Sequence, residues 1–142
     1  MMKEKFAKAF MASAHVFADL SYCVRRQVGC VLIAPSYDDN QHRIVSIGYN
    51  GTPPGDENVC ETADGKTKPD VIHAEMNAIK KLREEGVDMT DMVLFCTTAP
   101  CPSCATEIAA ENFAAVYYSD VYHTEEGLDH LRGSGIDVFQ ID

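Results

Sequence analysis

Basic residues are scarce: twelve Lys and Arg stand against twenty-two Asp and Glu, for a net charge of −10. Gripping a nucleic-acid backbone without regard to sequence needs a cationic face that releases counterions, so this balance argues against nucleic acid as a partner. Any anionic ligand must be small and locally held. Long hydrophobic runs are missing as well. The N-terminal stretch MMKEKFAKAFMASAHVFADL opens with lysines, but Lys8, His15 and Asp19 interrupt its apolar positions, unlike a signal peptide or a membrane span. The cytoplasm is therefore the expected location, with no membrane partner. Internal repeats, low-complexity tracts and linkers are absent too. At 142 residues, 46% hydrophobic and 24% charged, residues 1–142 read as a single globular domain with a real core.

Six cysteines are present: Cys23, Cys30, Cys60, Cys96, Cys101 and Cys104. An even count in a small secreted chain suggests disulfides, but without an export signal the C-x-x-C pair at 101 and 104 reads as metal-binding or redox-active. Cys30 in VGCVLIA and Cys96 in MVLFCT fall inside apolar runs and are assigned to the core as small hydrophobes.

Phe6, Phe10, Ala14, Phe17 and Leu20 recur at steps of three and four, which predicts a helix over 3–22 with those residues on its apolar face. VGCVLIA and RIVSIGYN read as two paired strands, joined through the turn-forming PSYDDNQH. GTPPGDENVCETADGKTKPD has no hydrophobic period and is long for a loop, so it calls for a functional or structural reason. Beyond it the elements alternate: a helix from His73 to about Glu85, strand MVLFCT, a helix over 102–112, strand AAVYYS, a short helix near 125–132, and strand DVFQI. Such alternation predicts a sheet covered by helices on both faces, a three-layer α/β/α sandwich with a central mixed sheet of about five strands.

Zinc takes ligands from cysteine, histidine and carboxylate, and catalytic sites use three protein ligands so that water can occupy the fourth place. PCPSC supplies Cys101 and Cys104 at a helix start, with Pro102 suited to an early helical position and the helix end favouring thiolates. His73 opens the preceding helix. The strands before these two helices are expected to be neighbours, which would let the helix starts converge on one Zn2+ ion. Glu75, on the same first turn as His73, has the chemistry of a proton carrier for a water acidified by the metal. A lone C-x-x-C is common, and a lone histidine before a helix is more often a cap or a core residue. H-A-E at 73–75 together with P-C-x-x-C at 100–104 is far more specific, because it is the signature of zinc-dependent base deaminases.

On these motifs, together with SYCVRRQVGC, GYNGTPPG, HAEMNAI and YSDVY, the chain resembles the deoxycytidylate (dCMP) deaminases of the cytidine deaminase superfamily over nearly its whole length. Superfamily members acting on transfer RNA differ at GYNG, and free-nucleoside cytidine deaminases typically carry Cys in place of His73. The resemblance implies that Glu75 protonates N3 of cytosine and passes a proton to departing ammonia while hydroxide attacks C4, giving dUMP for thymidylate synthesis. It assigns Asn50 to the sugar hydroxyl, Tyr122 to the nucleotide's side and Ala74 to the substrate-binding set. The adjacent Arg25 and Arg26, two of only five arginines, are the candidate phosphate ligands, since a guanidinium can donate two parallel hydrogen bonds.

The resemblance further implies a homo-oligomer, commonly a hexamer, activated by dCTP and inhibited by dTTP at a site involving Gly48, Tyr49, Asn50 and Gly51, with Mg2+ accompanying the regulatory triphosphate. Some similar proteins hold a second, structural zinc on cysteines matching Cys23 and Cys60 plus histidines in a longer insert. CETADGKTKPDVI has no histidine, so that site is expected to be absent or incomplete, with Cys23 and Cys60 still close in space. Three other readings compete: a bifunctional dCMP/dCTP deaminase, a deaminase of bases in RNA or single-stranded DNA, and a structural zinc module closed by Cys60, His73, Cys101 and Cys104.

Overall fold

In the computed structural model, which describes residues 2–35 and 41–142, helix α1 runs Glu4–Ala18. Its buried stripe is Ala7, Met11, Ala14 and Ala18, while Phe6, Phe10 and Phe17 are only partly covered and Leu20, past the helix end, is 55% exposed. The aromatic face expected from the spacing thus flanks the contact instead of forming its centre. Proximity explains the difference. A Cβ on Gly29 would lie 2.0 Å from the Ala14 carbonyl oxygen, so the helix backbone rests on the sheet and only small or flexible side chains fit in the seam.

Strand β1 (Gly29–Ile33) pairs antiparallel with β2 (Ile44–Tyr49) on one side and with β3 (Val93–Thr98) on the other. Strands β4 (Ala115–Asp120) and β5 (Asp137–Gln140) continue the sheet in parallel, giving the order β2-β1-β3-β4-β5. The sheet is mixed and five-stranded, as expected. Most of the expected connection between β1 and β2, residues 36–40, lies outside the described residues.

Every residue of β1 is buried, and the two-residue alternation of a strand sorts its side chains. Val31 and Ile33 join Ala7, Met11 and Ala14 of α1 and Phe95 on one face. Cys30 and Leu32 face the other way, into a core shared with α2 (Ala74–Glu84), α3 (Pro102–Ala110) and α4 (Glu126–Gly133) through Ala78, Ile79, Ala105, Ile108 and Leu131. One helix on one face and three on the other make the three layers.

The strands that precede α2 and α3 are not neighbours, contrary to expectation: β1 lies between β2 and β3. The β1–β2 hairpin places β2 at the sheet edge, and α2 packs back over both β2 and β1, which returns its N-terminus towards the end of β3. The two helices are then tied at their far ends by Arg83, whose guanidinium donates to Glu107 at 2.6 Å and to Glu111 at 2.9 Å.

The α2 contact depends on Gly48. A Cβ there would lie 2.2 Å from the Ala74 carbonyl oxygen and 2.7 Å from the Ala78 nitrogen, and both are backbone atoms that cannot swing aside. Gly48→Ala is expected to lower folding stability by about 3 kcal/mol through this overpacking, measured by denaturant unfolding. Parental stability in that variant would mean that α2 does not rest on β2 as described.

Candidate active site

His73 occupies the N-cap position of α2 in extended backbone, with φ −70° and ψ 155°, and its ring makes no capping bond. The approach of the chain is fixed just upstream, where Gly51 and Ile72 exchange backbone hydrogen bonds of 3.1 and 2.8 Å. Cys101 is the N-cap of α3, Pro102 is at its first position, and Cys104 follows within the first turn. His73 Nδ1 lies 3.2 Å from Cys104 Sγ and 3.5 Å from Cys101 Sγ. One nitrogen and two sulfurs, all within 4.8 Å of one another, are the donor types and number of a catalytic zinc site, and among the described residues no fourth His, Cys, Asp or Glu joins the cluster. The donor set fits the metal.

Electrostatics inside the cluster follow from crowding. The Cys104 thiol donates to Cys101, and His73 and Ser103 add further bonds, so Cys101 ionises well below the usual thiol range. Cys104, as the donor in that pair and half of a buried couple, is pushed up. The imidazole of His73 is raised chiefly by its bond to Cys101. One negative charge is therefore shared across the pair at the positive end of α3, and a cation binding there must displace the remaining protons.

Glu75 sits one step inside α2 and is 4% exposed. Burial raises its carboxyl pKa, opposed in part by a hydrogen bond from Cys96 Sγ to Oε1 at 3.2 Å. The sequence reading placed Cys96 in the core as a small hydrophobe. It is in the core, but its thiol meets the one buried carboxylate of the site.

The cluster lies in a cleft of about 280 Å³ whose lining includes His73, Ala74, Glu75 and Cys101 together with Arg25, Arg26, Asn50 and Tyr122. The Arg26 guanidinium lies over the Tyr122 ring, 5.7 Å from its centroid. Both arginines ride on a segment fixed by Glu61, whose Oε2 accepts the amides of Val24 and Arg25 at 3.1 Å each. Asn50 braces the same segment: its Oδ1 accepts from the Val28 amide at 2.9 Å and its Nδ2 donates to the Arg26 carbonyl at 2.8 Å. Of the four GYNG residues only Asn50 lines the cleft; Gly48 seats α2, the Tyr49 carbonyl accepts from Asn77 at 2.8 Å, and Gly51 pairs with Ile72.

Thr67 from the long loop, Val71, Thr98 and His123 also line the cleft and were not foreseen. The length of the loop over 51–70 hinted at Thr67; Val71 just beyond it, Thr98 at the end of β3 and His123 after β4 carry no such signal.

Cys23 and Cys60 are close, as expected, and are joined in a disulfide that links the arginine segment to the long loop. Glu61 lies beside them, but with the two sulfurs bonded to each other no thiolate pair is available for a second zinc. The same bond removes Cys60 from the structural zinc module considered above. Among the described residues, no helix is long and apolar enough to cross a membrane.

The family described as cytidine and deoxycytidylate deaminase zinc-binding region matches residues 4–120. Deoxycytidylate deaminase from Saccharomyces cerevisiae is 31% identical over 99% of this chain, and that from Schizosaccharomyces pombe is 33% identical over 92% of it. The chain spans 46% and 42% of those proteins, less than half of either. The crystal structure of dCMP deaminase from cyanophage S-TIM5 in complex with dCMP and dUMP is similar over 99% of this chain and 100% of that one, with a TM-score of 0.91 and 36% identity.

The buried carboxyl has a measurable signature in the metal-free protein. A carboxyl whose folded pKa exceeds its unfolded value stabilises the fold only below that unfolded value, 4.5 for Glu75, and the contribution is lost as the pH rises. Glu75→Gln, neutral throughout, is expected to unfold at a higher temperature than the parent at pH 7 with chelator present, and the advantage should shrink towards pH 4. Equal midpoints at pH 7 would mean that burial does not penalise this carboxylate.

Proposed function

The chain belongs to the cytidine and deoxycytidylate deaminase family, and on that footing we propose that it hydrolyses dCMP to dUMP and ammonia. The observation that carries the reading is a buried carboxyl, Glu75, beside the His73, Cys101 and Cys104 donors in a cleft whose walls include two arginines. His73, Cys101 and Cys104 would hold zinc, which when bound supplies the Lewis acidity that makes water a competent nucleophile near neutral pH.

The protein's own groups account for the remaining steps. Arg25 and Arg26 bind the 5′-phosphate, and Tyr122 flanks the nucleotide. Asn50, its amide already engaged with the backbone, keeps the arginine segment in place and offers its remaining N–H to the sugar. Glu75 accepts one proton of the attacking water and gives it to N3 of the pyrimidine, then carries the water's second proton to the amino group as the C4–N4 bond breaks and the C4 oxygen becomes the carbonyl. Its raised pKa suits a group that must hold a proton as well as take one. The cyanophage relative, whose structure contains dCMP and dUMP, supports the choice of monophosphate.

The rest of the proposal has the support of the resemblance at GYNG and the neighbouring motifs: activation by dCTP and inhibition by dTTP at Gly48–Gly51 with Mg2+, hexameric assembly, and a cytoplasmic place in supplying dUMP. Of that tetrapeptide, Gly48 has a packing role that already accounts for it. Loss of turnover on adding dTTP, reversed by dCTP, is the result that upholds the regulation.

Incubation with dCMP, dCTP, deoxycytidine and CMP, followed by ammonia release, tests the activity; release from dCMP ahead of the others is expected. Glu75→Gln should retain zinc and lose about 10²–10⁴-fold in turnover, the usual contribution of a positioned proton carrier. Arg25→Ala and Arg26→Ala should each raise KM for dCMP about 10- to 100-fold, the magnitude of a charge-assisted hydrogen bond, and leave deoxycytidine unaffected. A KM change equal for nucleotide and nucleoside would rule out the phosphate role.

A further inference from the structure

Glu75 is held from the sheet as well as from its own helix. Cys96, on β3, is fully buried and its Sγ lies 3.2 Å from Glu75 Oε1. Its cross-strand partner in the β1–β3 ladder is Cys30, equally buried and in contact with it. Burial pushes both thiols up, so each keeps its proton, and a carboxylate has nothing to donate. The bond therefore runs from sulfur to carboxylate oxygen. Neither thiol belongs to the metal-donor cluster.

We propose that Cys96 is a positioning residue for the reaction: its S–H fixes Oε1 of Glu75 from behind, leaving the second carboxylate oxygen for water and the pyrimidine ring, while Cys30 supports Cys96 from β1. The inference rests on the reading of Glu75 as proton carrier. A glutamate side chain has three torsions, and proton transfer needs its oxygen within hydrogen-bond reach of the reacting atoms. A helix start alone fixes only the backbone. The thiol supplies a second point of attachment on the buried side of the carboxylate, and it does so without a charge that would bind the carboxylate too tightly to work.

Packing and positioning make opposite predictions for two substitutions. Valine is apolar, larger than cysteine by about one methyl group, and has no donor, whereas serine matches the shape of cysteine and keeps a donor but is the more polar occupant of an apolar core. Cys96→Val is expected to lower kcat on dCMP by about 10- to 100-fold, the scale of an ångström's misplacement of a reacting group, with KM, zinc content and Tm near parental values. Cys96→Ser is expected to keep kcat within about fivefold, since geometry and not sulfur chemistry carries the effect. Parental kcat in Cys96→Val, or an equal loss in both variants, would overturn the proposal.

An infrared measurement on the metal-free protein decides the bond without any turnover. The sulfur–hydrogen stretch that disappears in Cys96→Ser should lie at the low frequency of a bonded thiol in the parent and move up in Glu75→Ala. No shift overturns the proposal. Failure to deaminate any cytosine nucleotide would sink the functional reading and leave this infrared result as the arbiter of the contact.

Discussion

An imidazole nitrogen and two sulfurs from two different helix starts must come within hydrogen-bonding distance of one another, and much of the fold serves that requirement. His73 and Cys101 are both N-caps in extended backbone, so each side chain leaves its helix at the positive end. Three polar groups crowded this closely cannot all be charged alike, and the shared proton between Cys104 and Cys101 relieves the conflict. Holding them there requires α2 to lie flat on the sheet edge, which the absence of a side chain at Gly48 permits, and to be fastened to α3, which Arg83 does through two carboxylates. The reactive corner is thus made by helix packing, with loops contributing the walls.

Much of this could be read in the sequence. The order of elements and the number of sheet strands follow from periodicity and turn residues, and the clustering of His73, Cys101 and Cys104 from the two spaced motifs, but the spacing that predicts a helix over 3–22 overruns α1, which ends at Ala18. What else could not be read shares one cause: it depends on which backbone approaches which. The aromatic spacing in α1 is genuine, yet close contact at Gly29 gives the seam to Ala7, Met11, Ala14 and Ala18. Chain order suggests that the strands before α2 and α3 are adjacent, but pairing of β1 with β3 separates them. Cys96 looks like any cysteine in an apolar strand until Glu75 is brought to it.

Charge is distributed with the same economy. On a protein of net charge −10, two of five arginines border the cleft, and the backbone that carries them is held by Glu61, Asn50 and the Cys23–Cys60 bond. An anion would find the wall already assembled, so binding costs little ordering of that segment. Asn50 illustrates how one side chain serves two ends: it is assigned to the sugar by resemblance, and by its hydrogen bonds it is a brace.

Because β1 runs opposite to β3, the start of one strand meets the finish of the other, where the Gly29 amide donates to Thr97 Oγ1 at 3.1 Å. The mouth consequently collects chain from the stretch before β1, the stretch after β2 and the stretch after β4. Each of these can lengthen or shorten while the ladder beneath stays in register. Descendants of such a scaffold can remodel what they admit after β4 alone, or before β1 and after β2 together, since the Cys23–Cys60 bond, Glu61 and Asn50 join those two stretches.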